Sequence, residues 1–175
     1  IITASIETKQ KLLSNQEMLK LIAGCADAIT KTFQQGNKVL FCGNGGSAAD
    51  SQHLAAELTG RFINDRRPLA AMALSTDTSA LTCIGNDYAF QEVFARQVNA
   101  LGRKEDLLIG ISTSGNSENI IRAVEEASKL GMTTVGLLGR DGGKLSTMCN
   151  HSIVVPSQVT ARIQECHILI GHTIC

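Results

Sequence analysis

Two segments of the chain are rich in Gly, Ser and Asn, the residue types that can surround a phosphate with hydrogen-bond donors. They are Gly-Asn-Gly-Gly-Ser at 43–47 and Ser-Thr-Ser-Gly-Asn-Ser at 112–117. Backbone N–H groups at a helix start supply donors and a favourable dipole, and glycine lets the backbone come close to a ligand. The hydroxyls of the second segment add further donors. We therefore predict two loops that hold the phosphate of a small substrate.

Nucleotide binding is not indicated by either segment. A P-loop ends in Gly-Lys-Ser/Thr, neither segment contains Lys, and the first lacks the glycine spacing of a dinucleotide-binding turn. The simpler alternative is that both segments are turns in which Ser or Asn caps the next helix. Two loops of the same hydroxyl-rich chemistry, each after a strand and before a helix, favour phosphate binding over that alternative.

Several polar side chains in two predicted helices could transfer protons or bind a metal ion. His53 and Glu57 are four residues apart in a predicted helix over 47–60, so they share one face. The last helical segment, 162–172, carries polar groups among apolar ones: Gln164, Glu165, His167 and His172. These groups indicate a site or a polar subunit contact. A surface His/Glu pair and a buried histidine are the ordinary alternatives.

The apolar pattern predicts the elements that position these groups. Residues 9–35 show helical spacing with a break near Asn15, so the chain begins with helices. Five short apolar runs then alternate with helical segments: 39–42, 70–74, 107–111, 134–138 and 153–155. We predict an α/β, three-layer doubly wound fold with a central five-stranded parallel sheet. Both loops, and the Asp-Gly-Gly turn at 141–143, then lie at the carboxyl ends of strands, where ligands bind.

The composition indicates one domain over 1–175, with N-terminal helices over about 1–35 and an α/β core over about 36–175. A chain of 175 residues that is 43% hydrophobic can bury one core. Its 16 basic and 16 acidic residues give a net charge of zero, so the composition does not indicate binding to nucleic acid or to an anionic membrane surface. No apolar stretch reaches about 20 residues and no signal-peptide pattern is present, so we expect a cytoplasmic protein.

Six cysteines are spread along the chain without a Cys-x-x-Cys pair, and we expect them to be free thiols. The chain begins without Met, and its helical apolar pattern continues to Cys175. We therefore expect the natural protein to be longer than this sequence.

Five motifs, in this order, make the chain resemble a known family. They are Cys-Gly-Asn-Gly-Gly-Ser-Ala, Ala-Glu-Leu-Thr-Gly-Arg, Gly-Asn-Asp-Tyr, Gly-Ile-Ser-Thr-Ser-Gly-Asn-Ser and Ala-Arg-Ile-Gln-Glu-Cys-His. From about residue 34 onward the chain resembles the phosphoheptose isomerases of the sugar isomerase domain superfamily. The resemblance implies an aldose–ketose isomerase that converts sedoheptulose 7-phosphate to D-glycero-D-manno-heptose 7-phosphate for ADP-heptose and lipopolysaccharide core synthesis. It also implies a homotetramer with active sites at subunit interfaces.

The resemblance assigns roles to individual residues as well. It implies one zinc ion per subunit, bound by His53, Glu57, Gln164 and His172, with Glu57 and His172 as the catalytic pair. The implied substrate contacts are Asn44, Gly45, Gly46, Ser47, Glu57, Asn86, Asp87, Ser112, Thr113, Ser114, Ser117 and Gln164. Two positions depart from the family. Ala56 stands where relatives often have a second Glu, and Ala161 stands where some have an Asp that contacts substrate, so that contact is left open.

The implied reaction suits these side chains. Moving a carbonyl from C2 to C1 requires a base, an enediol intermediate and an acid, which Glu57 and His172 can supply. Zinc would stabilise the enediolate as a Lewis acid. Two difficulties follow. A Glu57 bound tightly to zinc is a weaker base, and Gln164 and His172 lie about 12 Å apart along one helix. Ligands from different subunits are therefore an alternative.

Two other functions fit the same fold. One is a non-catalytic tetrameric scaffold that associates with the replication initiator, but relatives of that kind lack the acidic residue at 57 and the histidine at 172. The other is a sugar-phosphate-sensing regulator. Such regulators are usually fused to a DNA-binding or catalytic domain, for which 175 residues leave no room. The retained Glu57 and His172 favour the enzyme.

Overall fold

A parallel sheet of five strands lies at the centre of the computed structural model, which describes residues 1–175. The strands are β1 (Val39–Gly43), β2 (Ala71–Ala73), β3 (Leu107–Ser112), β4 (Thr133–Gly139) and β5 (His151–Val155). Their order across the sheet is β2-β1-β3-β4-β5, and every neighbouring pair is parallel. Each strand coincides with one predicted apolar run, although β2 is shorter than its run and β5 begins two residues earlier.

Helices cover both faces of this sheet, which confirms the predicted three-layer doubly wound fold. They are α1 (Ile2–Ser14), α2 (Gln16–Gln34), α3 (Gly46–Thr59), α4 (Thr78–Asp87), α5 (Ala95–Leu101), α6 (Glu118–Lys129), α7 (Leu145–Met148) and α8 (Thr160–Ile174), with a short 3-10 helix at Phe90–Glu92. The predicted break between the first two helices lies at Asn15, whose side chain accepts a hydrogen bond from the Met18 amide at 3.0 Å. No helix is both long enough and apolar enough to cross a membrane.

Alternate residues of each strand point to opposite faces of the sheet, so two cores form. Phe41 of β1 and Ile109 of β3 pack with α1, α2, α3 and α8 on one face. Leu40 and Leu108 pack with α5, α6 and α7 on the other. Both faces of β1 and β3 are buried, which explains why these strands are continuously apolar in sequence.

The chain direction across the sheet changes between β1 and β3, and this is the topological switch point of the fold. From β1 the chain moves outward to β2, and it then returns to place β3 on the other side of β1. Gly43 at the end of β1 pairs with Ile111 near the end of β3. The loops at 43–47 and 112–117 therefore start side by side at the carboxyl edge, where open α/β sheets bind ligands.

Two polar residues of α8 prove to have structural roles within the chain. Glu165 accepts a hydrogen bond from Ser5 of α1 at 2.7 Å and pairs with Arg162, so it fastens α1 to α8. His167 is fully buried, and its Nε2 lies 2.8 Å from the carbonyl oxygen of Leu138 in β4. A carbonyl can only accept, so Nε2 carries a proton. The buried Nδ1 has no hydrogen-bond partner, which favours the neutral imidazole over a buried cation.

Burial of this imidazole predicts a loss of stability in acid. Burial lowers the pKa of His167 from 6.5 to about 4, although the bond to Leu138 acts in the opposite direction. The unfolded chain therefore binds a proton at a higher pH than the folded chain does. The stabilising contribution of neutral His167 is complete above pH 6.5 and is lost as the pH falls to 4. The loss should reach about 3 kcal/mol.

The change that tests this effect is His167→Gln, whose amide can still donate to Leu138 but does not titrate. Urea unfolding followed by circular dichroism across this pH window should give a shallower pH dependence for H167Q than for wild type. The matched control is His151→Gln, at the half-buried start of β5. An unchanged slope in H167Q would show that His167 does not control acid stability.

Candidate active site

The first loop turns sharply into α3. Gly45 occupies the N-cap position with φ 55° and ψ −120°, a conformation that residues with a Cβ rarely adopt. Asn44 and the buried Asn119 of α6 exchange two amide hydrogen bonds of 2.9 and 2.8 Å. This pair ties the first loop to the helix that follows the second loop. After these two bonds, the Asn44 amide still has one N–H and one lone pair with which it can contact a ligand.

Two hydroxyl groups of the second loop face one another. Oγ of Ser112 lies 2.9 Å from Oγ of Ser117. Ser117 occupies the N-cap position of α6, yet its hydroxyl makes no capping bond. The structure therefore does not support the alternative in which this serine caps the helix. The arrangement leaves hydroxyls and the helix N-terminus available to an anion.

The turn after β4 supports the second loop from the side. Gly115 has φ 65°, and a Cβ there would overlap the backbone of Gly142. The amide of Leu145 also donates to the carbonyl of Gly115 at 3.0 Å. The predicted third turn on this edge thus packs directly against the predicted phosphate loop.

Three ionisable side chains from α3 and α8 converge on one point. Nε2 of His53 lies 2.9 Å from Nε2 of His172 and 3.2 Å from Oε1 of Glu57. The ligand atoms of all three residues lie within 4.8 Å of one another. The spacing of four predicted the proximity of His53 and Glu57. The arrival of His172 at the same place supports its assignment to the same cluster.

Close packing of α3 against α8 produces this convergence. The two helices run parallel, and a Cβ on Gly46 would lie 3.0 Å from Cδ of Gln164. Eight residues further along α3 and seven residues further along α8, a Cβ on Gly171 would lie 2.7 Å from Cδ1 of Leu54. Gly171 must lack a side chain for so close an approach, because Leu54 is buried, whereas the flexible end of Gln164 can move away from a Cβ on Gly46. Within one chain, Gln164 consequently lies beside the first loop, and His172, which follows Gly171, lies beside His53.

The location of Gln164 bears on its predicted roles. Contact with Gly46 places its amide at the start of α3, where a substrate contact was predicted. About 10 Å of helix axis separates Gly46 from His53, seven residues later. The role of Gln164 as a fourth ligand of the same ion stays a prediction.

Sequence reasoning missed a carboxyl group close to the cluster. Asp50 lies three residues before His53 on α3, and its Oδ2 is buried without a hydrogen-bond partner. Burial raises the pKa of the Asp50 carboxyl, while His53 and His172 partly offset this effect. Asp50 precedes His53 by three residues and Glu57 by seven. This helical spacing could have identified Asp50 as a member of the same helix face.

Asn86 and Asp87 lie at the end of α4, and neither side chain is hydrogen-bonded to the two loops. The Asn86 amide donates to Asp87 Oδ1 at 2.8 Å, and this bond lowers the pKa of the Asp87 carboxyl. Both side chains are exposed, and neither bonds to either loop. Their substrate contacts stay predictions.

The His53, Glu57 and His172 cluster suits a zinc ion. Two imidazole nitrogens and a carboxylate oxygen are ordinary zinc ligands, and atoms bound to tetrahedral zinc are roughly 3.3 Å apart. The observed separations of 2.9 and 3.2 Å are close to that value. Two nitrogens at 2.9 Å must either share a proton or face a common cation. The donor set is therefore compatible with zinc.

The fold and this site define a SIS-domain protein, and the family model of the SIS domain matches residues 4–139. The chain belongs more narrowly to the phosphoheptose isomerase family. It is 51% identical over 174 residues to a phosphoheptose isomerase of Clostridium acetobutylicum, covering 99% of this chain and 89% of that one. It is 57% identical over 167 residues to the Helicobacter pylori P12 enzyme of the same name, covering 95% and 85%.

Solved structures agree with this assignment. The phosphoheptose isomerase GmhA from Neisseria gonorrhoeae superposes with a TM-score of 0.93 at 48% identity, covering 99% of this chain and 92% of that one. A phosphoheptose isomerase from Francisella tularensis gives a TM-score of 0.95 at 42% identity, with the same coverage. The resemblance inferred from the five motifs is thereby confirmed.

The close approach of α3 and α8 can be tested with Gly171→Ala. The added methyl group overlaps the buried Leu54 side chain, so we expect a loss of about 1–3 kcal/mol of stability. Because the helices must separate, the distance between His53 and His172 should increase and zinc affinity should fall. Thermal unfolding and competition with a chromogenic zinc chelator measure the two effects.

Gly24→Ala is the matched control, because a Cβ on this α2 glycine meets no atom within 4 Å. It should keep the zinc affinity and gain up to about 1 kcal/mol from helix propensity. Wild-type stability and zinc affinity in G171A would mean that the glycine contact does not set the geometry of the cluster.

Proposed function

We propose that the chain is an aldose–ketose isomerase that converts sedoheptulose 7-phosphate to D-glycero-D-manno-heptose 7-phosphate, for ADP-heptose and lipopolysaccharide core synthesis. The observation that carries this proposal is the convergence of His53, Glu57 and His172 in a chain 51% identical to a named phosphoheptose isomerase. The two loops provide the phosphate site that such a substrate requires. The non-catalytic scaffold is disfavoured because Glu57 and His172 are both present and lie together.

The separation of the two parts of the site suits a long acyclic sugar phosphate. The first loop leads into α3, whereas His53 lies seven residues after Gly46, the first residue of that helix, about 10 Å further along the helix axis. A heptose 7-phosphate likewise carries its phosphate and its reacting carbons at opposite ends of the molecule. Hydrogen bonds at the loop can therefore fix the substrate while C1 and C2 reach the cluster.

Proton transfer accounts for the reaction without any net loss or gain of atoms. A base removes the proton from C1 of the ketose as the C2 oxygen gains one, which gives the enediol. The hydroxyl on C1 then loses its proton while C2 gains one, which gives the aldose. Glu57 or His172 carries the carbon-bound proton, and the other serves the oxygens. A zinc ion bound by this cluster would supply Lewis-acid stabilisation of the enediolate.

A homotetramer with active sites at subunit interfaces belongs to the same proposal. An apolar groove between α1, α2 and α8 contains Leu13, Leu19 and Leu169, and exposed apolar side chains such as Ile2 and Ile6 lie on α1. Exposed apolar surface of this kind is typical of a protein interface. One zinc ion per subunit, the ligand role of Gln164 and a cytoplasmic location complete the proposal.

Glu57→Gln tests the proton-transfer role. The amide keeps the size of the side chain but is no base, so turnover of sedoheptulose 7-phosphate should fall by about 10²–10⁴. Calorimetric titration with the substrate should show that binding is retained. The control is Glu125→Gln, an exposed change on α6. Near-normal turnover in E57Q would remove Glu57 from the catalytic pair.

Ser117→Ala tests the phosphate loop. The change removes the hydroxyl that lies 2.9 Å from Ser112, and substrate affinity should fall about tenfold for one lost hydrogen bond to a charged group. Ser114→Ala should have a similar effect. Ser128→Ala, near the far end of α6, is the control. An unchanged dissociation constant in S117A would place the phosphate elsewhere.

Metal removal tests the cofactor. Protein stripped with a chelator should lose isomerase activity, and added zinc should restore it, while elemental analysis should find one zinc per subunit. Aldose phosphate formation from sedoheptulose 7-phosphate provides the assay. Full activity in metal-free protein would contradict a catalytic role for zinc.

A further inference from the structure

Phe62 lies directly against the predicted catalytic histidine, although none of the five motifs includes it. Its ring is stacked on the imidazole of His172 with the centroids 5.1 Å apart and the planes inclined by only 14°. The residue belongs to the irregular segment 60–70 between α3 and β2. No residue of the phosphate loops takes part in this contact.

His53 contacts the same imidazole from another direction. The rings of His53 and His172 meet edge to face, with centroids 5.1 Å apart and an angle of 70°. An imidazole rotates easily about its terminal torsion, which has broad minima. Two aromatic contacts of different geometry restrict that rotation. The orientation they select directs Nε2 of His172 toward His53 at 2.9 Å.

Arg66 holds the segment that carries Phe62. Its guanidinium donates to the carbonyl oxygen of Leu58 at 3.0 Å and to that of Glu57 at 3.3 Å. These carbonyls belong to the last turn of α3, where a cation also interacts favourably with the helix dipole. The segment is therefore fastened to the same helix that supplies His53 and Glu57.

A cavity of about 390 Å³ adjoins His172 on this side. It is lined by Phe62, Ile63, Asn64, Arg66, His172, Thr173 and Cys175. Loss of the Phe62 ring would extend this cavity onto the face of the imidazole. Water would then reach the ring face that Phe62 now covers, on a group that must keep one orientation whether it binds a cation or carries a proton.

We propose that Phe62 is a positioning residue that fixes the plane of the His172 imidazole and shields one of its faces. The inference rests on the proposed isomerase function for its kinetic consequences only. Its consequences for ring geometry and for zinc binding do not depend on the substrate.

The variants that test the proposal are Phe62→Leu, which keeps an apolar side chain without a ring, and Phe62→Tyr, which restores the ring. In wild-type protein labelled at histidine, the ring current of Phe62 should shift the NMR signals of the His172 ring upfield. F62L should abolish this shift. It should also lower zinc affinity about tenfold and lower kcat about 10- to 100-fold with little change in KM. F62Y should restore all three.

Ile63→Ala is the matched control, because Ile63 is the next residue, lines the same cavity and is 75% exposed. It should leave the His172 signals, zinc affinity and kcat unchanged. An unshifted His172 ring in wild type, or wild-type zinc affinity and kcat in F62L, would overturn the proposal. Equal losses in I63A would overturn it too, because the effect would then belong to the segment. A wild type that binds zinc but does not turn over sedoheptulose 7-phosphate would instead refute the proposed function.

Discussion

The geometry of the site depends on how closely α3 and α8 approach each other. Both helices begin at the carboxyl edge of the sheet and run away from it in the same direction. Gly46 and Gly171 lie at the two points of closest contact, where a side chain would collide with Gln164 and Leu54. Because protein cores are close-packed, a helix displaced by one methyl group carries all its side chains with it. The positions of His53 and His172 thus depend on two glycines that carry no ionisable group.

The sheet provides the second constraint. Strand order reverses between β1 and β3. The ends of these two strands lie beside each other, and the helices that follow them pack on opposite faces of the sheet. Parallel strands buried on both sides form a rigid base. Loops attached to that base can adopt the unusual backbone conformations of Gly45 and Gly115 because the surrounding packing holds them. Rigid strand ends and close-packed helices together place the two Gly/Ser-rich loops and the His53, Glu57 and His172 cluster on one molecule.

Much of this architecture could be predicted from sequence, because the strands and loops have strong local signals. Each predicted apolar run overlaps a strand, and the predicted break near Asn15 lies where Asn15 caps α2. The contact between His172 and His53 could not be derived from spacing, since it depends on the fit of Gly171 against Leu54. Phe62 and Asn119 were missed for a similar reason. The role of an aromatic residue in an irregular segment, or of an amide near the start of an amphipathic helix, cannot be inferred until its contact partner is known.

The paired amides of Asn44 and Asn119 have a consequence for how this protein can vary. Each side chain is the donor and the acceptor for the other, and one of them is buried. Replacing either residue alone strands the other amide in a place that water reaches poorly, which is costly. The two positions, 75 residues apart, should therefore change together or not at all in the history of the family. Their effects on stability should be strongly non-additive, although neither residue belongs to the cluster of His53, Glu57 and His172.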